Sequence, residues 1–187
     1  PGAMFSLGAM PPSNLGALTA MTYTPAHIRM PERSVVNLKN CSFRITASIR
    51  TESDTHGVIV AQGGNMAGWS LYLDEQSRPV YHYNWFGHEH YVATGASLAA
   101  GDHVVVVEFA YDGGLGGSGN VALLVDGELV GQTRIEKTVP IVFSISGETF
   151  DVGVDTGSPV GPYHHGYAFT GSIATVLCER LSEPPPE

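Results

Sequence analysis

Between residues 43 and 50 the chain alternates without a break. Phe43, Ile45, Ala47 and Ile49 are apolar, and Arg44, Thr46, Ser48 and Arg50 between them are polar. A period of two sends successive side chains to opposite faces of an extended chain, so this segment reads as a strand with one dry and one wet face. The pattern recurs. Trp69, Leu71 and Leu73 share one face, with Ser70 and Tyr72 on the other, and Tyr81, Tyr83 and Trp85 share a face within residues 80–86. Gly57-Val58-Ile59-Val60-Ala61 is a continuous apolar run, which suits a strand buried on both sides. Val104-Val105-Val106-Val107 is β-branched throughout and reads as a central strand. Residues 121–125 lead into Asp126-Gly127 and then Leu129-Val130, a hairpin signal because the tight turn needs positive φ. Further strands are expected over 149–154 and 168–178. No stretch carries a helical period. Many short strands joined by turn residues predict an all-β, two-sheet antiparallel sandwich.

Composition bounds the rest. A length of 187 residues fits one domain, and 43% apolar content supplies a core without staples. Residues 1–17 are rich in Gly, Pro, Ser and Met, begin on what looks like a trimmed end, and are expected to form a flexible arm. Residues 18–181 would be the sandwich. Residues 182–187 would be a loose tail, since its prolines lack the ladder donor. The formal net charge is −9, with only nine Lys and Arg and no basic stripe. That argues against nucleic acid and anionic membranes as partners, and an acidic surface repels sulfated polymers. No signal peptide or membrane-length apolar run is visible, which favours a cytoplasmic location. The apolar residues 4–10 offer a surface on which a homo-oligomer would pack. Cys41 and Cys178 are placed in strands and are expected to be buried thiols, with a disulfide between first and last strands as the alternative.

Five strings carry a more specific signal. They are Gly57-Val58-Ile59-Val60-Ala61-Gln62-Gly63-Gly64, Gly68-Trp69-Ser70-Leu71-Tyr72, Phe109-Ala110-Tyr111-Asp112-Gly113-Gly114-Leu115-Gly116, Asp151-Val152-Gly153-Val154-Asp155-Thr156-Gly157-Ser158-Pro159-Val160 and Ala168-Phe169-Thr170-Gly171-Ser172-Ile173. In order and spacing, over roughly residues 22–178, the chain resembles the C-terminal domain of bacterial arylsulfatases. The resemblance implies a concanavalin- or laminin-G-like jelly roll. It also implies a sulfatase catalytic domain as partner. Enzymes of that family hydrolyse sulfate esters with an oxidised Cys or Ser in a Cys/Ser-x-Pro-x-Arg motif. Cys41-Ser42-Phe43-Arg44-Ile45 fails it at two positions, with Phe43 in place of proline and Arg44 one place early. The resemblance therefore carries over the accessory domain and not the activity.

Residues 81–91, Tyr-His-Tyr-Asn-Trp-Phe-Gly-His-Glu-His-Tyr, are the most unusual segment. Flat aromatics stack on sugar or aryl rings, and His or Asn fix hydroxyls. Tyr83, Trp85, His88 and His90, with Tyr163 and His164 from a later loop, are the candidate ligand-binding residues. Ordinary core packing is the competing reading for Tyr81, Tyr83 and Trp85. On one strand His88 and His90 would share a face, and Zn²⁺ would then need a third ligand, from His164, His165 or Asp155. Asp151 and Asp155 form a candidate calcium site, against the simpler reading that Asp155-Thr156-Gly157 is a capped turn. The glycines of 113–119 lack the Lys-Ser/Thr and the following helix of a phosphate loop, and read as a plain connection. Three functions follow in order of expectation: a non-catalytic accessory domain of an arylsulfatase-like protein, a lectin-like module for a glycan or small aryl ligand, and a small enzyme on the same scaffold.

Overall fold

The computed structural model describes residues 18–144 and 146–181. The expected arm and tail, and the proposed packing surface over 4–10, lie outside the described residues. Among the described residues, eleven strands form two antiparallel sheets. In chain order they are β1 (Ala20–Tyr23), β2 (Phe43–Thr51), β3 (Gly57–Gly63), β4 (Gly68–Leu73), β5 (Pro79–Trp85), β6 (Glu89–Thr94), β7 (Gly101–Tyr111), β8 (Gly119–Val125), β9 (Glu128–Ile135), β10 (Phe150–Val152) and β11 (Ser172–Arg180). One sheet runs β1-β11-β2-β7-β8-β9 and the other β10-β3-β4-β5-β6. A 3-10 turn, Glu32–Ser34, lies between β1 and β2. The expected all-β sandwich is what forms.

The inward faces follow the alternation. Phe43, Ile45, Ala47 and Ile49 of β2 meet Trp69, Leu71 and Leu73 of β4 and Tyr81 and Tyr83 of β5 in one core. Each buried Ile or Leu there is worth about 1.5–3 kcal/mol of transfer free energy. Trp69 is 1% exposed, and its Nε1 donates to Gln62 Oε1 at 3.1 Å, so its one polar atom is satisfied. Asp126 and Gly127 have φ of 52° and 87°, and Val125 pairs with Glu128. That is the two-residue turn the Asp-Gly pair predicts. Gly131 of β9 passes so close to β6 that a Cβ would press on the Thr94 backbone, which closes this side of the sandwich.

Several expectations are adjusted. Val105 and Val107 are buried, but Val104 is 41% exposed, so β7 is central in its sheet with one wet face. The strand expected over 149–154 is only Phe150–Val152, and the one over 168–178 starts at Ser172, because the intervening chain leaves the sheet to cross its outer surface. Cys41 lies outside any strand, before β2, and Cys178 lies in β11; both are buried thiols, and the pair forms no disulfide.

Candidate functional site: the outer face of the smaller sheet

Paired rungs place Val80 opposite Thr94, His82 opposite Val92 and Asn84 opposite His90. These residues have the opposite parity to Tyr81 and Tyr83, so they point away from the core. Val58, Tyr72 and Ser70 lie on this same outer surface. It is not bare. The segment 153–171 crosses it, held by Gly153 N–H to Ile59 C=O, Val58 N–H to Tyr167 C=O and Thr170 N–H to His56 C=O. Gly57 permits this crossing: its φ is +110°, and a side chain there would run into the Ala168 carbonyl. Tyr163 packs edge-on against Tyr72 at 4.9 Å and stacks on Tyr167 at 5.5 Å, and His164 meets Tyr167 at 5.0 Å.

Two clefts lie between this strap and the exposed outer face of β6, with the buried outward residues of β5 beneath them. The first, of about 440 Å³, has Tyr72, Val80, Val92 and Thr94 as floor, Pro162, Tyr163, His164 and Tyr167 as wall, and Asp74, Glu75 and Arg78 at its mouth. Asp74 and Arg78 are paired at 2.7 Å. Burial opposes the Asp74 charge, but the Arg78 guanidinium and the turn amides outweigh it and hold the carboxyl below its usual range. The second cleft, of about 400 Å³, is lined by His82, Asn84, His90, Asn65 and the strap from Pro159 to Pro162. His82 is 5% exposed. Its Nε2 lies 2.8 Å from His90 Nδ1, and its Nδ1 is buried beside Gly161 with no hydrogen-bond partner among the described residues. Burial, aided by the neighbouring His90 imidazole, pushes the His82 pKa down to about 4. Asn84 donates to the Gly64 and Asn65 carbonyls and accepts from Gly87 N–H, so its amide fixes the turns around the cleft.

The expected ligand-binding residues separate into three places. His90, Tyr163 and His164 line the clefts. Tyr83 does not: it is buried in the core, its hydroxyl accepts from Val139 N–H at 2.8 Å, and burial drives its pKa far upward. Trp85 shares Tyr83's parity and lies half-buried at the end of the sandwich, with Lys137 Nζ 4.7 Å from its ring centroid. His88 is in the turn before β6, not on it, so it shares no strand face with His90. The imidazole that does meet His90 is His82. The sequence carried a signal for it, because His82 and Asn84 alternate with the three aromatics and so had to face the other way.

Asp151 and Asp155 are buried, and protein donors already occupy them. Asp151 accepts from Arg29 N–H at 2.6 Å and from the Thr149 and Thr156 hydroxyls at 2.9 and 3.0 Å. Asp155 accepts from the Tyr163 hydroxyl at 2.8 Å and from Val160 N–H at 3.2 Å, so it anchors the strap. Burial raises the Asp155 pKa against the pull of these bonds. A cation bound here would have to displace these donors. Among the described residues no group of three or more His, Cys, Asp or Glu side chains converges for a metal. Nor is any described helix long and apolar enough to cross a membrane.

No family model matches the chain, and no curated protein matches it. Solved structures do. The CBM40 of a Ruminococcus gnavus IT-sialidase, bound to α2,3-sialyllactose, matches with a TM-score of 0.53 at 18% identity, over 78% of this chain and 80% of that one. A leech intramolecular trans-sialidase matches with a TM-score of 0.54 at 14% identity, over 88% of this chain and 26% of that one. A sialidase from Streptococcus pneumoniae matches with a TM-score of 0.55 at 12% identity, over 78% of this chain and 23% of that one. At such identities the likeness is one of fold: the chain is an all-β, two-sheet sandwich of the jelly-roll kind.

Proposed function

We propose that this domain is a glycan-binding module of lectin type, and that its sugar lies in the clefts on the outer face of the smaller sheet. The observation that carries this reading is the cleft itself. In the first cleft an aromatic wall of Tyr163 and Tyr167 stands over a largely apolar floor, with Glu75, Arg78 and His164 placed around it to hold hydroxyls, and His90 lines the adjoining cleft. The neighbouring sialidase CBM40, with its bound sialyllactose, supports the same assignment. It favours this reading over the arylsulfatase accessory domain as first expected.

The two are compatible in one respect. The matched region covers only 26% and 23% of the leech and streptococcal enzymes, so in those chains a sandwich of this shape is a part of something larger. The sequence resemblance to an arylsulfatase C-terminal domain supports such a role here, with the sandwich serving a catalytic domain as its sugar-binding part. A glycan array followed by calorimetry on the intact chain tests the proposal. Binding that His164→Ala and His90→Ala weaken, without lowering the melting temperature by more than a few degrees, is the expected result. An array with no hit overturns it.

A further inference from the structure

We propose that the two clefts are one track, and that it takes an uncharged oligosaccharide of at least two sugar units lying along β5 and β6. This rests on the glycan-binding reading above. Three alternate, outward-facing rungs make the floor: Val80 with Thr94, His82 with Val92, and Asn84 with His90. Four residue steps separate Val80 from Asn84, about 13 Å along a strand. One sugar ring is shorter than that and reaches only one end. Pro162 lines both clefts, so a single wall runs beside the whole floor.

The chemistry changes along the track in the way a sugar chain requires. Glu75 and Arg78 stand at one end, and exposed His90 with buried His82 at the other. Between them Val92 is 43% exposed and offers an apolar saddle for the C–H face of a ring. The His82 Nδ1, buried and unpartnered beneath the strap, marks the second end as a place where polar capacity is left over.

The charge argues for a neutral ligand. Arg78 is the cation at the first cleft's mouth, and it is already paired with Asp74, with Glu75 beside it. A carboxylate on the sugar would compete with Asp74 and meet Glu75, within the field of a chain of net charge −9. In this the track differs from what the neighbouring module is described as holding, since sialyllactose carries a carboxylate.

Calorimetry on the full chain with glucose, galactose, mannose, xylose and N-acetylglucosamine, each as oligomers of one to six units, tests this, with α2,3-sialyllactose as the charged comparator. For the sugar that binds, affinity should rise about tenfold or more from monomer to trimer and then level off. Glu75→Gln and His90→Ala, both at surface positions, should each weaken the trimer several-fold. A monosaccharide that binds as tightly as its tetramer overturns the track while leaving a glycan site standing. So does a response to only one of the two variants. Sialyllactose binding more tightly than every uncharged oligomer overturns the neutral-ligand assignment. Failure of all these sugars and of the array takes down the glycan-binding reading itself.

Discussion

His82 and His90 meet across the β5–β6 pair with Nε2 and Nδ1 2.8 Å apart, yet only His82 is buried beneath the strap. The consequence is a pH dependence with a definite sign. The folded His82 pKa of about 4 is below the ordinary imidazole value of 6.5. The native state therefore binds fewer protons than the unfolded chain between these values. Its contribution is complete above about pH 6.5 and is lost as the pH falls toward 4, by about 3 kcal/mol in all. Urea midpoints measured from pH 7.5 to 4 should fall more steeply for the wild type than for His82→Gln. Parallel curves would show that the imidazole is not held neutral by burial.

Gly57→Ala should cost roughly 2–5 kcal/mol, combining strain at φ +110° with overlap against the Ala168 backbone. Gly127→Ala is the matched control. Its φ is +87°, but nothing lies within 4 Å of the new Cβ, so only about 1 kcal/mol of backbone strain is expected. Because Gly57 seats the strap, its substitution should also abolish sugar binding, whereas Gly127→Ala should not. Chemical denaturation and calorimetry on the two variants decide this.

Asp151→Asn should destabilise the fold by about 1–3 kcal/mol in the presence of EDTA, since four donors converge on the carboxylate and an amide offers one oxygen in place of two. The same experiment discriminates the calcium reading. If calcium raises the melting temperature of the wild type and not of Asp151→Asn, the carboxylate holds a cation and the hydrogen-bonding account is incomplete.

Trp85→Ala should lower stability by about 1–3 kcal/mol, through lost packing on Phe86 and loss of the Lys137 contact over the ring. Sugar affinity should stay within about twofold, because Trp85 has the core-facing parity and lines neither cleft. A large loss of affinity at unchanged stability would place the ligand on the sandwich end instead.

The alternation at 43–50, the Asp-Gly turn and the aromatic parity at 81–85 are local facts, and they determined the strands, the hairpin and the inward faces. Two-fold side-chain periodicity requires nothing distant. The sequence also contained His82, but it could not show that His82 is the imidazole against His90. That depends on where β5 turns into β6, and a turn over residues 86–88 removes His88 from the strand. Nor could alternation foretell that Ser70, Tyr72 and His82, polar or amphipathic and on the outward face, would be buried. Their cover arrives from residues 153–171, far later in the chain, on backbone hydrogen bonds to His56, Val58 and Ile59. The sandwich was thus written in each strand separately. The clefts exist only because a remote loop lies over one sheet, burying the outward residues of β5 and leaving those of β6 exposed.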